Sequence, residues 1–178
     1  MVRKIILNMA ISLDGYIADP KGGFDCIIVD GYSSNDTTNK FNFDEFLYSI
    51  DIIVMGENAF LDSPKEGMDM FKEKNIYVAS NEELDTEYKN ATFIKGDIVS
   101  QVIKLKENEG KDIWIYGGGI LVDYFIKENV IDEYIIAIIP IILGKGRPLF
   151  LEDNPTLKLH LEETTTQDGI VVLKYKKR

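Results

Sequence analysis

The sequence predicts an α/β protein, with a mostly parallel twisted central sheet, helices on both faces in three layers, and a C-terminal antiparallel hairpin. Short apolar runs alternate with helix-like stretches through most of the chain, the pattern of strands buried on both faces of a sheet. The tail changes style. Leu157, Leu159 and Leu161 alternate with Lys158, His160 and Glu162, Asp168-Gly169 follows, and the run Ile170 to Tyr175 returns. Alternation on either side of an Asp-Gly pair signals a hairpin that is polar on one side. At 178 residues and 45% hydrophobic content, residues 1–178 suit a single domain with a real core.

In order, Lys4 to Ile11 reads as a buried strand. Ser12 to Asp25, rich in Gly, Asp and Pro, reads as a long loop. Asn42-Phe-Asp-Glu45 resembles a capping box opening a short helix that carries Phe43, Phe46 and Leu47 inward. Asp51 to Gly56 is a second buried-type strand, followed by a short helical or irregular piece. Asn75 to Ser80 and Ala91 to Ile94 are further strands. Asp97 suits the cap of a helix from Ile98 to about Glu109, with Gly110 ending it. A strand at Ile113, three glycines and a helix over Leu121–Lys127 come next. Glu133 to Ile139 is a strand closed by Pro140, and Ile141 to Phe150 reads as a loop.

The formal net charge of −10 disfavours nucleic acid and anionic membrane as partners, since both call for a basic face. The single cysteine, Cys26, has no internal partner, which fits a reducing, cytoplasmic setting. No run of apolar residues reaches the ~18 needed to span a bilayer, and the start lacks the pattern of a signal peptide. One His and one Cys leave no metal set. His160, on the polar side of an alternating strand, reads as solvated. Gly144-Lys-Gly146 lacks P-loop spacing, and the glycine triplet lacks the usual dinucleotide fingerprint. A reaction that needs few protein groups is favoured, and hydride transfer from a bound cofactor is one.

Three features lie at the carboxyl ends of buried strands, where sheet ligands usually bind. They are Ala10-Ile-Ser-Leu-Asp-Gly15, Met55-Gly56 and Tyr116-Gly-Gly-Gly119. Each has a plain alternative: a turn at Asp14-Gly15, a helix-start glycine at Gly56, a tight strand-to-helix turn at the triplet. A glycine run ahead of a helix also leaves the first-turn N–H groups free to seat a phosphate.

At these residues the chain resembles the dihydrofolate reductase fold family. It is most similar to the branch that holds the reductase domain of riboflavin biosynthesis (the RibD C-terminal domain) and its stand-alone bacterial relatives. The segments that carry the resemblance are Met9 to Asp19 with Gly23-Phe-Asp25, Ile53-Val-Met-Gly56, Val78-Ala-Ser80, Ile115 to Gly119, and Val130 to Tyr134 through Pro140 to Phe150. The resemblance implies a dihydrofolate reductase-like sheet of about eight strands and a reduced nicotinamide cofactor across its carboxyl edge. Ala10 and Ile11 would frame the nicotinamide and Ile17 would close over it. Gly56 and its successors would meet the adenosine phosphates, and Ser80 would lie near the adenine ribose. Gly117, Gly118, Gly119, Ile120 and Leu121 would seat the pyrophosphate. Asp14 and Asp25 would be the acids nearest the substrate. Relatives carry Gly-Arg-x-Thr where this chain has Gly56-Glu57-Asn58-Ala59, and Arg where Asn81 stands. NADPH is the implied cofactor, and Glu57 and Asn81 open the way to NADH. The expected activity is reduction of a small heterocyclic substrate, of the 5-amino-6-(5-phosphoribosylamino)uracil reductase kind. A true dihydrofolate reductase, with Asp44 or Glu45 as the acid, and a non-catalytic nucleotide-binding protein are the alternatives. The related reductases suggest a homodimer.

Overall fold

A computed structural model describes residues 2–23 and 31–178. An eight-stranded sheet runs through it. Its strands are β1 (Ile5–Ser12), β3 (Ile50–Gly56), β4 (Asn75–Ala79), β5 (Ala91–Ile94), β6 (Asp112–Gly117), β7 (Glu133–Ile139), β9 (Leu159–Gln167) and β10 (Ile170–Lys177), in the order β5-β4-β3-β6-β1-β7-β10-β9. The first six positions are parallel, and β10 runs antiparallel to both neighbours. The helices are α1 (Phe43–Ser49), α2 (Glu57–Asp62), α3 (Lys65–Met70), α4 (Ile98–Lys106) and α5 (Gly119–Lys127).

Alternation along the strands splits the core in two. Ile5 and Leu7 of β1 pack with Ile113 and Ile115 of β6 under α4 and α5. Ile6 and Trp114 face the other way, with Phe46, Phe60, Met68 and Phe71 from the α1, α2 and α3 side. Strands with a buried residue at nearly every position are what helices on both faces require. At the amino end Arg3, only 5% exposed, donates to the Asp51 carboxylate and the Lys111 carbonyl.

The structure departs from the sequence expectation in particular places. The loops expected at 12–25 and 141–150 contribute a two-stranded ribbon, β2 (Tyr16–Ala18) with β8 (Arg147–Pro148). Helix α4 stops at Lys106, short of Gly110. That glycine instead makes room for an ion pair, since a Cβ there would lie 2.6 Å from Asp51 Oδ2 and 2.8 Å from Arg3 Nη1. Asn42 does cap α1, accepting from Glu45 N at 3.1 Å, but Phe43 is 37% exposed and leans over Trp114 (5.9 Å between ring centres). The hairpin turns at Asp168 and Gly169, both at positive φ (51° and 82°), the requirement of a two-residue type I′ turn.

Candidate active site

Adjacent strands β3 and β6 send the chain in opposite directions. From β3 it leads to β4, and from β6 to β7 beyond β1. The helices that follow leave on opposite faces: Phe60 of α2 joins one core cluster, and Leu121, Val122 and Phe125 of α5 join the other. A crevice must open between them at the carboxyl ends, the position where open α/β sheets bind ligands. A cleft of about 1000 Å³ occupies that place.

Its walls include Ala10, Ile17, Gly56, Glu57, Ala59, Gly117, Gly118, Gly119, Ile120 and Leu121, so most of the residues expected at a cofactor converge. No side chain caps the first turn of α5 or of α2, so backbone N–H groups at both helix starts have no intrahelical acceptor. Such starts attract anions. The glycine triplet nonetheless has reasons internal to the fold. Gly117 and Gly118 sit at φ 145° and 90°, and a Cβ on Gly117 would lie 2.5 Å from Met9 Cε. A Cβ on Gly119 would run into the Pro148 carbonyl oxygen.

Four expected residues fall off the cleft wall. Ile11 is buried in the core. Asn81 is exposed beyond the end of β4. Ser80 is buried, but its hydroxyl lies 2.6 Å from Glu57 Oε2, which ties it to a residue that does line the cleft. Asp14, expected as an acid near the substrate, is absent from the lining. Its carboxylate accepts from the Ser12 hydroxyl (2.7 Å) and from the backbone N–H groups of Leu143 and Gly144 (3.1 and 2.7 Å). These bonds, the Ser12 one foremost, hold its carboxyl below the ordinary value. It clasps two loops together. Asp25 lies outside the described residues.

The other end of the cleft has no counterpart in the sequence expectation. It is walled by Phe41, Phe43, Trp114 and Tyr116, with Ala137, Ile170 and Val172 from the sheet and Gln167 and Asp168 from the hairpin tip. Trp114 is held edge-on by Phe46, Phe71 and Tyr116 at 5.0–5.5 Å, and its Nε1 donates to the Asn8 carbonyl (2.9 Å). Hydrogen bonds from the 36–37 segment to the hairpin tip place the wall. Thr37 N donates to the Thr166 carbonyl (3.0 Å), and Asp168 N donates to Asp36 Oδ1 (2.9 Å). Asn8 also lines this end, 8% exposed, with its Nδ2 unpartnered. A buried donor without an acceptor costs about 1–3 kcal/mol. One signal was available: Asn8 is the single polar residue inside the apolar run from Ile5 to Ile11.

Among the described residues, three carboxylates (Glu57, Asp62, Asp168) and one cation (Arg147) line the cleft, and Arg147 Nη1 lies 3.0 Å from Asp62 Oδ2. Among the same residues no cluster of His, Cys, Asp or Glu could hold a metal ion, and no helix is long and apolar enough to cross a membrane.

Sheet order, switch-point cleft and C-terminal hairpin define the class of dihydrofolate reductase-like proteins. In agreement, dihydrofolate reductase from Enterococcus faecalis, complexed with NADP(H) and RAB-propyl, superposes with a TM-score of 0.65 at 13% identity, over 98% of this chain and 96% of that one. The chain belongs to the RibD C-terminal domain family, which matches residues 62–173. It is 35% identical to the uncharacterized protein YyaP of Bacillus subtilis (strain 168), over 97% of this chain and 94% of that one. A putative riboflavin biosynthesis protein from Shewanella sp. PV-4 superposes with a TM-score of 0.78 at 28% identity, covering 98% and 99% of the two chains.

Proposed function

We propose that the protein is a nicotinamide-dependent reductase of a small planar heterocycle. The observation that carries this reading is one cleft that joins two unlike ends: uncapped helix starts and glycines on one side, aromatic rings on the other. A bound reduced nicotinamide supplies the hydride. The chain's own residues do the rest. The first-turn N–H groups of α5 meet the pyrophosphate, Ala10 and Ile17 confine the reactive ring, and the aromatic wall keeps water from the substrate face.

The family points to NADPH. The placement of Glu57 favours NADH, because a carboxylate at the adenosine end repels a 2′-phosphate and accepts a bond from a free 2′-hydroxyl. Ser80, 2.6 Å away, steadies that carboxylate. The expected outcome is NADH binding at least as tight as NADPH, read by quenching of Trp114, the single tryptophan. NADPH binding tenfold tighter would sink this assignment. The riboflavin-pathway reduction of a phosphoribosylaminopyrimidine is the specific reaction that the family suggests. A true dihydrofolate reductase has less support, since Asp44 and Glu45 stand exposed at the start of α1 and do not line the cleft. Nucleotide oxidation with aminopyrimidine and pterin substrates tests the reading as a whole. Binding of nucleotide with no oxidation by any of them would favour a non-catalytic nucleotide-binding protein.

A further inference from the structure

Among the described residues, Asn8 is the one buried side-chain donor in the cleft that the chain itself leaves without an acceptor. Its strand fixes the face of the sheet from which the side chain leaves. Asn8 follows Ile6 by two residues and so shares its face with Trp114, Val172 and Ala137. In register it stands opposite Ile135 of β7. Its backbone carbonyl holds the Trp114 indole from the same spot. The side chain therefore lines the cleft beside an aromatic wall, with its Nδ2 just beneath the surface, and a buried donor without an acceptor gains by turning toward one that lies against the rings. A flat heterocycle with a ring carbonyl or an unprotonated ring nitrogen meets both demands, the rings by stacking and the donor by a hydrogen bond.

The charges set a second condition. Among the described residues Arg147 is the one cation on the cleft wall, and Asp62 holds it. Residues 24–30, which lie outside the described structure, contain no Lys or Arg. A neighbouring groove meets the cleft at Phe41 and Val172 and brings in Lys4, Lys40 and Lys174. There Lys4 and Lys174 pair with Glu133 and Lys40 pairs with Asp36, while Glu45 and Glu163 add further negative charge. A phosphate at the substrate end would meet more carboxylates than free cations.

We propose that the substrate end selects an uncharged planar heterocycle, with Asn8 Nδ2 reading an acceptor on its ring, and discriminates against a phosphorylated form. This deepens the reductase reading and rests on it for the fate of the substrate, though binding stands on its own. The test titrates the whole protein with 5-amino-6-ribosylaminouracil and with its 5′-phosphate, with and without NADH, following Trp114 fluorescence. The phosphate-free compound is expected to bind at least as tightly as the phosphate. Asn8→Ala and the near-isosteric Asn8→Leu should each weaken it about tenfold, the range for a buried hydrogen bond. The melting temperature of Asn8→Leu should equal or exceed that of the native chain, because an unpartnered donor has been removed. A merely structural Asn8 would instead lower it. Tighter binding of the phosphate by tenfold or more, an unchanged Kd in Asn8→Leu, or no binding of either compound overturns the proposal. Asn8-dependent binding with no oxidation of either nucleotide supports it while overturning the reductase reading.

Discussion

Two glycines open helices on either side of the same crevice, and they differ in what the fold asks of them. Gly119 begins α5 with the Pro148 carbonyl so close that no side chain fits. Gly56 precedes α2 at φ −76° and ψ 156°, a conformation open to any residue. A Cβ there would find Gly117 O at 3.5 Å and Leu121 Cβ at 3.8 Å, which is ordinary contact. Packing alone accounts for Gly119 and leaves Gly56 unexplained. The steric room at Gly56 opens into the cleft, so the less constrained glycine is the better witness for a ligand.

Substitutions should separate the two. Gly119→Ala forces a methyl group against the Pro148 carbonyl, and overpacking of that kind costs about 1–3 kcal/mol. Urea unfolding should show it as a lower midpoint at unchanged slope, and a loss below about 0.5 kcal/mol would show that the β2–β8 ribbon yields freely. Gly56→Ala should keep stability within about 1 kcal/mol yet weaken nucleotide binding about tenfold, or about 1.4 kcal/mol. Equal losses in both properties would erase the contrast. Glu57→Gln removes a like charge from the α2 side and should improve NADPH binding relative to NADH by roughly fivefold, an exposed-pair effect of about 1 kcal/mol. No change in that ratio would place the 2′ position elsewhere.

The smallest effect belongs to Asp14. Its folded pKa lies below the ordinary 3.8, so its clasp on Leu143 and Gly144 is fully present above that value and is lost as pH falls through the folded pKa. The Gly144 amide resonance should therefore titrate below pH 3.8 in the native chain and stay flat in Asp14→Asn. A flat native profile would remove the clasp.

The same contrast explains what could be read from the sequence. The parallel sheet was legible because strands buried on both faces leave continuous apolar runs, as at Ile50–Gly56 and Glu133–Ile139. The glycine-lined end of the cleft was legible because strand ends and their glycines are contiguous in sequence. The aromatic end was not. Its wall joins Phe41 and Phe43 to Gln167 and Asp168 through hydrogen bonds between the 36–37 segment and the hairpin tip, one backbone to backbone and one to the Asp36 carboxylate, and such bonds leave no periodicity. Gly110 misled for a related reason. Next to a helix it resembles a terminator, while its requirement comes from Arg3 and Asp51, distant in sequence.

The β2–β8 ribbon also sets an order of events. The Asp14–Gly144 bond beside it closes a span of 130 residues, and β1 finds its sheet partners in β6 and β7. A chain that emerges from a ribosome amino end first therefore holds β1 without a sheet partner until β6 exists, and the Ile17 strand without its ribbon partner until β8 does. Pairings of such long range form slowly, since the loop must close before its contacts repay the lost freedom. The cleft is thus closed from both ends of the chain: its mouth waits for Arg147 and Pro148, and its aromatic wall waits longer still, for Gln167 and Asp168 at the hairpin tip.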